Sequence, residues 1–97
     1  MKTLEEAIDV ISKVEHPAIS YPLTKLGIVK DIELNGDTVV LSFVFPFPNI
    51  PIADQLIASI EKPINEIGLK LEYIVRVMND NERNTFLQLE AEAWKGM

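Results

Sequence analysis

No cysteine occurs among the 97 residues. Disulfides, thiolate zinc sites, cysteine nucleophiles and cysteine-ligated iron–sulfur clusters are therefore excluded within this chain. A single histidine excludes a multi-histidine metal site as well, so no metal and no cofactor is expected. Basic residues are scarce: nine Lys and Arg stand against fifteen Asp and Glu, a formal net charge of −6. Such a surface repels phosphate backbones, and nucleic acid is not an expected partner. No apolar run approaches the roughly 18 residues that span a bilayer, so no membrane partner is expected. The opening residues, Met1-Lys2-Thr3-Leu4-Glu5-Glu6, are acidic where a signal peptide is basic and then apolar. A cytoplasmic location follows as the expectation. Gly27 and Gly36 are isolated, which leaves no phosphate-cradling loop. Ser12, Ser20, Ser42 and Ser59 lie in no nucleophile-elbow context. The Asp80–Glu82 cluster lacks calcium-loop spacing and reads as a solvated face.

What is present is the material for one core: 47% of the residues are hydrophobic and 25% charged. The chain reads as a single domain, 1–97. Thr3 and Glu6 fit a capping box that opens a helix. Leu4, Ala7, Ile8, Ile11 and Val14 recur at helical spacing, and Pro17 is expected to end the element. In the following connector, Pro22, Leu23, Leu26 and Gly27 predict a helical turn closed by glycine. Two strands follow, over 28–34 and 38–45, with Asn35-Gly36-Asp37 as a hairpin turn. Pro46-Phe47-Pro48-Asn49-Ile50-Pro51 cannot be regular structure, because three prolines remove three donors.

A second helix starts near Ile52, and its stripe is Ala53, Leu56, Ile57, Ile60, Ile64 and Ile67. Pro63 inside it is expected to kink or split it, and Gly68 to cap it. A third strand alternates Leu69, Leu71, Tyr73, Val75 and Val77 against Lys70, Glu72, Ile74, Arg76 and Met78. From Asn79 a C-terminal helical tail begins, with Asn79 and Glu82 as its capping pair. The fold class is α+β: a two-layer α/β sandwich, order α-β-β-α-β plus the C-terminal helix, on a three-stranded mixed sheet. Val40, Val44, Ile74 and Met78 sit at the parity opposite the core, which leaves a face for the tail, a docked partner or a second copy.

Chemistry is sparse. His16 beside Glu15 makes a base–carboxylate pair conceivable, but a solvated residue at a helix end is the preferred reading. No catalytic residue is assigned. The proline-rich loop leaves a strand and enters a helix, whose first amides offer an anion cradle in principle. Phe47 and Ile50 are either rigid binding anchors or caps on the core from above. Trp94 is read as a core plug ahead of a partner anchor.

From Val14 to Val77 the sequence resembles the MIP18-like iron–sulfur cluster assembly family, formerly a domain of unknown function. Its members include SUF-associated and phenylacetate-degradation D-type proteins and the N-terminal domain of Mrp-type P-loop ATPases. Where that family shows Asp-Pro-x-Ile, this chain has His16-Pro17-Ala18-Ile19. The family's Leu-Gly-hydrophobic-Val is Leu26-Gly27-Ile28-Val29, followed by Lys30-Asp31-Ile32. Its Thr-x-Pro-x-Cys-Pro loop corresponds to Pro46-Phe47-Pro48-Asn49-Ile50-Pro51. The departures are systematic. Ile50 stands for the loop cysteine, Pro46 for the threonine, Lys25 for an acidic residue and Pro22 for a polar one.

The resemblance implies the family's scaffold without its reactive groups, since isoleucine cannot replace a thiolate ligand. It implies a non-catalytic adaptor or accessory of iron–sulfur cluster assembly that ligates no cluster itself. The protein partner would be an assembly protein or a P-loop ATPase. It would dock on Pro46, Phe47, Pro48, Asn49, Ile50 and Pro51, with Tyr21, Lys25 and Trp94 at the rim. Two other readings stay open: a small-ligand or anion binder using the helix N-terminus after Pro51, and a structural homodimerisation module. The stretch Glu90–Gly96 is compatible with a lead into a further domain or with a free-standing protein.

Overall fold

Local signals place most of the elements, and the sheet then decides which faces are covered. The structure, a computed structural model, describes residues 3–95; the expectations resting on Met1, Lys2 and Gly96 fall outside them. Helix α1 (Leu4–Ser12) opens at Thr3, whose Oγ1 accepts the Glu6 N–H at 3.2 Å. It stops one turn short of Pro17. The Lys13 and Val14 amides tighten onto Val10 and Ile11, and the chain then peels away: His16 N–H donates to Tyr21 O and Leu23 N–H to Val14 O. That pairing holds the connector extended and folds it back, so the helix yields before the proline is reached. Leu26 N–H bonds Pro22 O, and Gly27 closes the turn at φ 79°. A side chain there meets the left-handed penalty that glycine escapes.

Strands β1 (Val29–Asn35) and β2 (Thr38–Phe45) form the expected hairpin, β2 at its predicted bounds. Of the turn residues only Gly36 takes positive φ, 66°, as a turn with glycine in its first central position requires. The register slips between Lys30 and Glu33, where Asp31 sits at φ 57° in a bulge that no sequence signal announces. Helix α2 (Ala53–Glu66) is one helix. Pro63 lies in its last turn and does not split it, because little helix remains beyond the missing donor. Strand β3 (Lys70–Val77) pairs parallel with β2 over eight consecutive residues, giving the order β1-β2-β3. Helix α3 (Asp80–Ala93) closes the sequence of elements. The result is the expected α+β fold, α-β-β-α-β-α on a three-stranded mixed sheet.

Ala7 and Ile11 of α1 and Leu56, Ile60 and Ile64 of α2 cover one face of the sheet. Leu4 and Ile8, read as part of the α1 stripe, stay partly exposed, at 39% each. Phe43 is fully buried there, edge-on to Tyr73 at 5.2 Å between ring centroids and stacked with Phe45 at 6.2 Å. The opposite face is covered at one end. Val44 and Met78 are buried with Phe86 of α3, whereas Ile74, on the same face, is 64% exposed.

Helix α3 has weak amphipathicity and is held by polar ties. Asn79 Oδ1 accepts the Glu82 N–H, and Glu82 Oε1 accepts the Asn79 N–H, which completes the predicted capping box. The same Glu82 carboxylate takes two bonds from Arg76, at 2.8 and 2.9 Å, and one from Lys30 at 2.6 Å. It therefore bridges β1 and β3 across the face. Arg76 first, then Lys30 and the Asn79 amide, hold the Glu82 carboxyl far below its ordinary range.

Candidate functional site

The proline-rich loop is fixed at both ends. Ile50 O accepts the Ala53 N–H at 3.1 Å, which starts α2. Pro46 is buried, and its carbonyl accepts Arg83 Nε at 2.7 Å from α3. Arg83 also donates to Met78 O at 2.9 Å and places its guanidinium 5.5 Å from the Phe47 ring centroid. One side chain thus clamps α3, the end of β3 and the loop. Asn49 takes φ 59°, a conformation that asparagine tolerates.

Between the loop, the connector and α3 lies a cavity of about 330 Å³, lined by His16, Pro46, Phe47, Ile50, Phe86 and Trp94 among others. Its walls are almost wholly apolar, and Glu90 is the charged group on them. The size is within the range of small binding pockets, which run from about 300 Å³ upward.

His16 is not the solvated residue its place near a helix end predicts: it is 7% exposed. The connector's return past Tyr21 carries it inward. Its Nδ1 accepts the Ala18 N–H at 3.0 Å, so in the neutral ring the proton sits on Nε2. Burial first, and Lys95 second, push its pKa below the ordinary 6.5 and favour that neutral form. The cavity therefore presents a neutral imidazole on a hydrocarbon wall.

Of the residues read from the sequence, Pro46, Phe47, Ile50, Pro51 and Trp94 line this cavity. Trp94 is no core plug. It is 52% exposed at the rim, because Ser20 N–H bonds Ala93 O and Lys95 N–H bonds Ala18 O, a short bridge that lays residues 93–95 along the connector. Pro48 and Asn49 face a neighbouring groove with Val75, Val77 and Ile57. Tyr21 and Lys25 line neither space. Lys25 Nζ lies 3.9 Å above the Tyr21 ring, and Tyr21 OH donates to Glu92 at 3.1 Å, so the pair braces the connector against α3. That carboxylate bond, more than desolvation, raises the Tyr21 pKa. Sequence reasoning missed Arg83 and Phe86 as parts of the site. The start of α2 has no side-chain cap, and Asp54 in its first turn puts negative charge where an anion would have to sit.

Three positions at which the chain departs from the family it resembles, His16, Pro46 and Ile50, converge on the one cavity, and Pro22 and Lys25 do not. Among the described residues no group of three or more His, Asp or Glu is placed to hold a metal ion.

A family model described as iron–sulfur cluster assembly protein matches residues 4–71. A crystal structure of a domain of unknown function, DUF59, from Bacillus anthracis is similar in fold, with a TM-score of 0.62 at 17% identity. The alignment covers 88% of this chain and 89% of that one. No curated protein matches the chain. No helix among the described residues is long and apolar enough to cross a membrane.

Proposed function

The chain belongs to the iron–sulfur cluster assembly protein family, and on that premise we propose that it is a non-catalytic accessory that docks a maturation partner through the 46–51 loop. The observation that carries this reading is the apolar cavity beside Ile50, the position at which the resemblance implies a cysteine in relatives. With isoleucine there, that position offers contact area and no thiolate ligand to iron. The loop is stiffened by three prolines and by Arg83, so docking costs little conformational entropy. Burying one partner side chain of leucine or phenylalanine size contributes about 1.5–3 kcal/mol. The partner class, an iron–sulfur assembly protein or a P-loop ATPase, comes from the resemblance. The chain itself carries the cluster at no point in this reading.

The test is an anaerobic pull-down from native extract with wild type and Ile50→Asp as baits. Ile50 is half-buried, so the variant's fold is checked by circular dichroism, and Phe47→Ser at an exposed loop position serves as a second bait. Assembly proteins or a P-loop ATPase recovered with wild type and lost with both variants support the reading. Equal recovery by a folded Ile50→Asp overturns it, as does an absence of such proteins from the wild-type bait.

A further inference from the structure

We propose that the free edge of β3 is a self-association surface, on which a second copy of this chain adds its own β3 antiparallel about a two-fold axis through Ile74. This inference does not rest on the loop's partner, although Val75 and Val77 also line the groove beside Pro48 and Asn49.

Strand β3 ends the sheet, and its outer side pairs with nothing among the described residues. Lys70 N–H donates to Asp37 O and Met78 N–H to Phe45 O, both toward β2. The alternation between them turns the main-chain groups of Leu71, Tyr73, Val75 and Val77 outward. The strand bearing these groups also carries four of the nine large hydrophobic residues exposed among the described residues. Ile74 is 64% exposed and Val75 53%, with Tyr73 and Val77 somewhat less. Monomers guard such edges with a bulge, a proline or charged side chains; β3 has no bulge and no proline over its eight regular pairs, and its charges, Lys70, Glu72 and Arg76, are of mixed sign and open to pairing across a copy.

Parity and charge together choose the register. In an antiparallel pair the outward residues oppose each other, so odd positions meet odd ones and the axis passes through a residue. Centred on Tyr73, the pairing would set Lys70 against the copy's Arg76, a like-charge contact made twice. Centred on Val75, it would keep only about five residues in register. Centred on Ile74, it sets Glu72 against the copy's Arg76 twice, Tyr73 against Val75 twice and Leu71 against Val77 twice. Aromatic–β-branched and opposite-charge pairs are the combinations that stabilise neighbouring strands. Arg76 already gives two of its five donors to Glu82, and the remainder are available to the incoming Glu72. Two three-stranded sheets would become one of six strands.

The absence of native cysteine makes a clean test possible. Sedimentation equilibrium of wild type is expected to give twice 10.9 kDa. Ile74→Lys, which sets two ammonium groups on the axis, is expected to give the monomer mass with an unchanged circular dichroism spectrum. Across an antiparallel non-hydrogen-bonded pair the Cα atoms lie about 4.5 Å apart, within disulfide reach. Ile74→Cys should therefore cross-link on mild oxidation, and Tyr73→Cys and Val75→Cys, each displaced from the axis, should not. A wild type that stays monomeric to its solubility limit overturns the proposal. So does a dimer that survives Ile74→Lys, or cross-linking that peaks at 73 or 75, or a β3 edge occupied by a strand from another protein in place of the copy.

Discussion

The edge formed by β1 carries Lys30, Asp31 and Glu33 and a bulge in which Asp31 sits at φ 57°, and Lys30 is tied to Glu82 of α3. The edge formed by β3 has no bulge, keeps eight consecutive pairs with β2 and exposes Tyr73, Ile74, Val75 and Val77. Both margins carry charge, but the bulged one shows no large apolar side chain to solvent, and its broken register discourages another strand from adding to it. The other keeps an unbroken register and, between Lys70, Glu72 and Arg76, exposes four large apolar side chains, which invites one. The contrast teaches that solubility is managed locally. A net charge of −6 protects the molecule as a whole, and it leaves an apolar stretch of strand untouched.

Changes at α3 act on both edges and give the largest expected effect. Phe86→Ala empties the buried contact that covers Val44 and Met78. It should cost about 3–5 kcal/mol in denaturant unfolding and make the β1 and β3 ends more alike in hydrogen exchange. A smaller effect follows from Glu82, which holds Arg76 of one edge and Lys30 of the other. Its carboxyl is depressed in the folded state, so its stabilisation is complete above the ordinary value of 4.5 and is lost as pH falls below it. The melting temperature should drop on acidification below about pH 4.5, and Glu82→Gln should flatten that drop while lowering the plateau near neutrality.

The smallest effect separates the edges most clearly. Asp31→Gly relieves a left-handed residue and should stabilise the fold by about 0.5–1 kcal/mol. Val75→Gly, in regular strand, should destabilise it by about 1 kcal/mol. Equal signs for the two glycines in a denaturant titration would mean that the edges are not distinct in the way described.

Much of the fold could be read without coordinates wherever a local rule applied. The hairpin turn, the bounds of β2, the capping box at Asn79 and the proline loop all rest on residues within one or two turns of each other. The failures share a cause. An alternation such as Leu69, Leu71, Tyr73, Val75, Val77 says that a strand has a face, but not whether a helix reaches it; here α2 covers Leu69 and leaves the last three exposed. His16 and Trp94 changed places with expectation because two backbone bridges, 15 to 22 and 19 to 94, fold the connector inward and hold Trp94 at the rim. Tyr21 and Lys25 follow the same connector away from the loop. The candidate site was legible as a loop and a family position, Ile50. That it is a cavity roofed by α3 depended on Arg83 and Phe86, which no motif marks.

The parallel pairing of β2 with β3 also bears on the order in which the chain is assembled. The hairpin closes from Asn35 to Thr38, whereas Thr38 meets Lys70 only after roughly thirty intervening residues have been gathered in. Loop-closure entropy burdens that second meeting by about 2 kcal/mol more than the first. Until α2 has formed and swung back, the inner strand waits with a vacant side, and on a ribosome that interval is set by the synthesis of the crossover itself. The strand that arrives last thus ends the chain's own search for neighbours and is the one left with a side to offer.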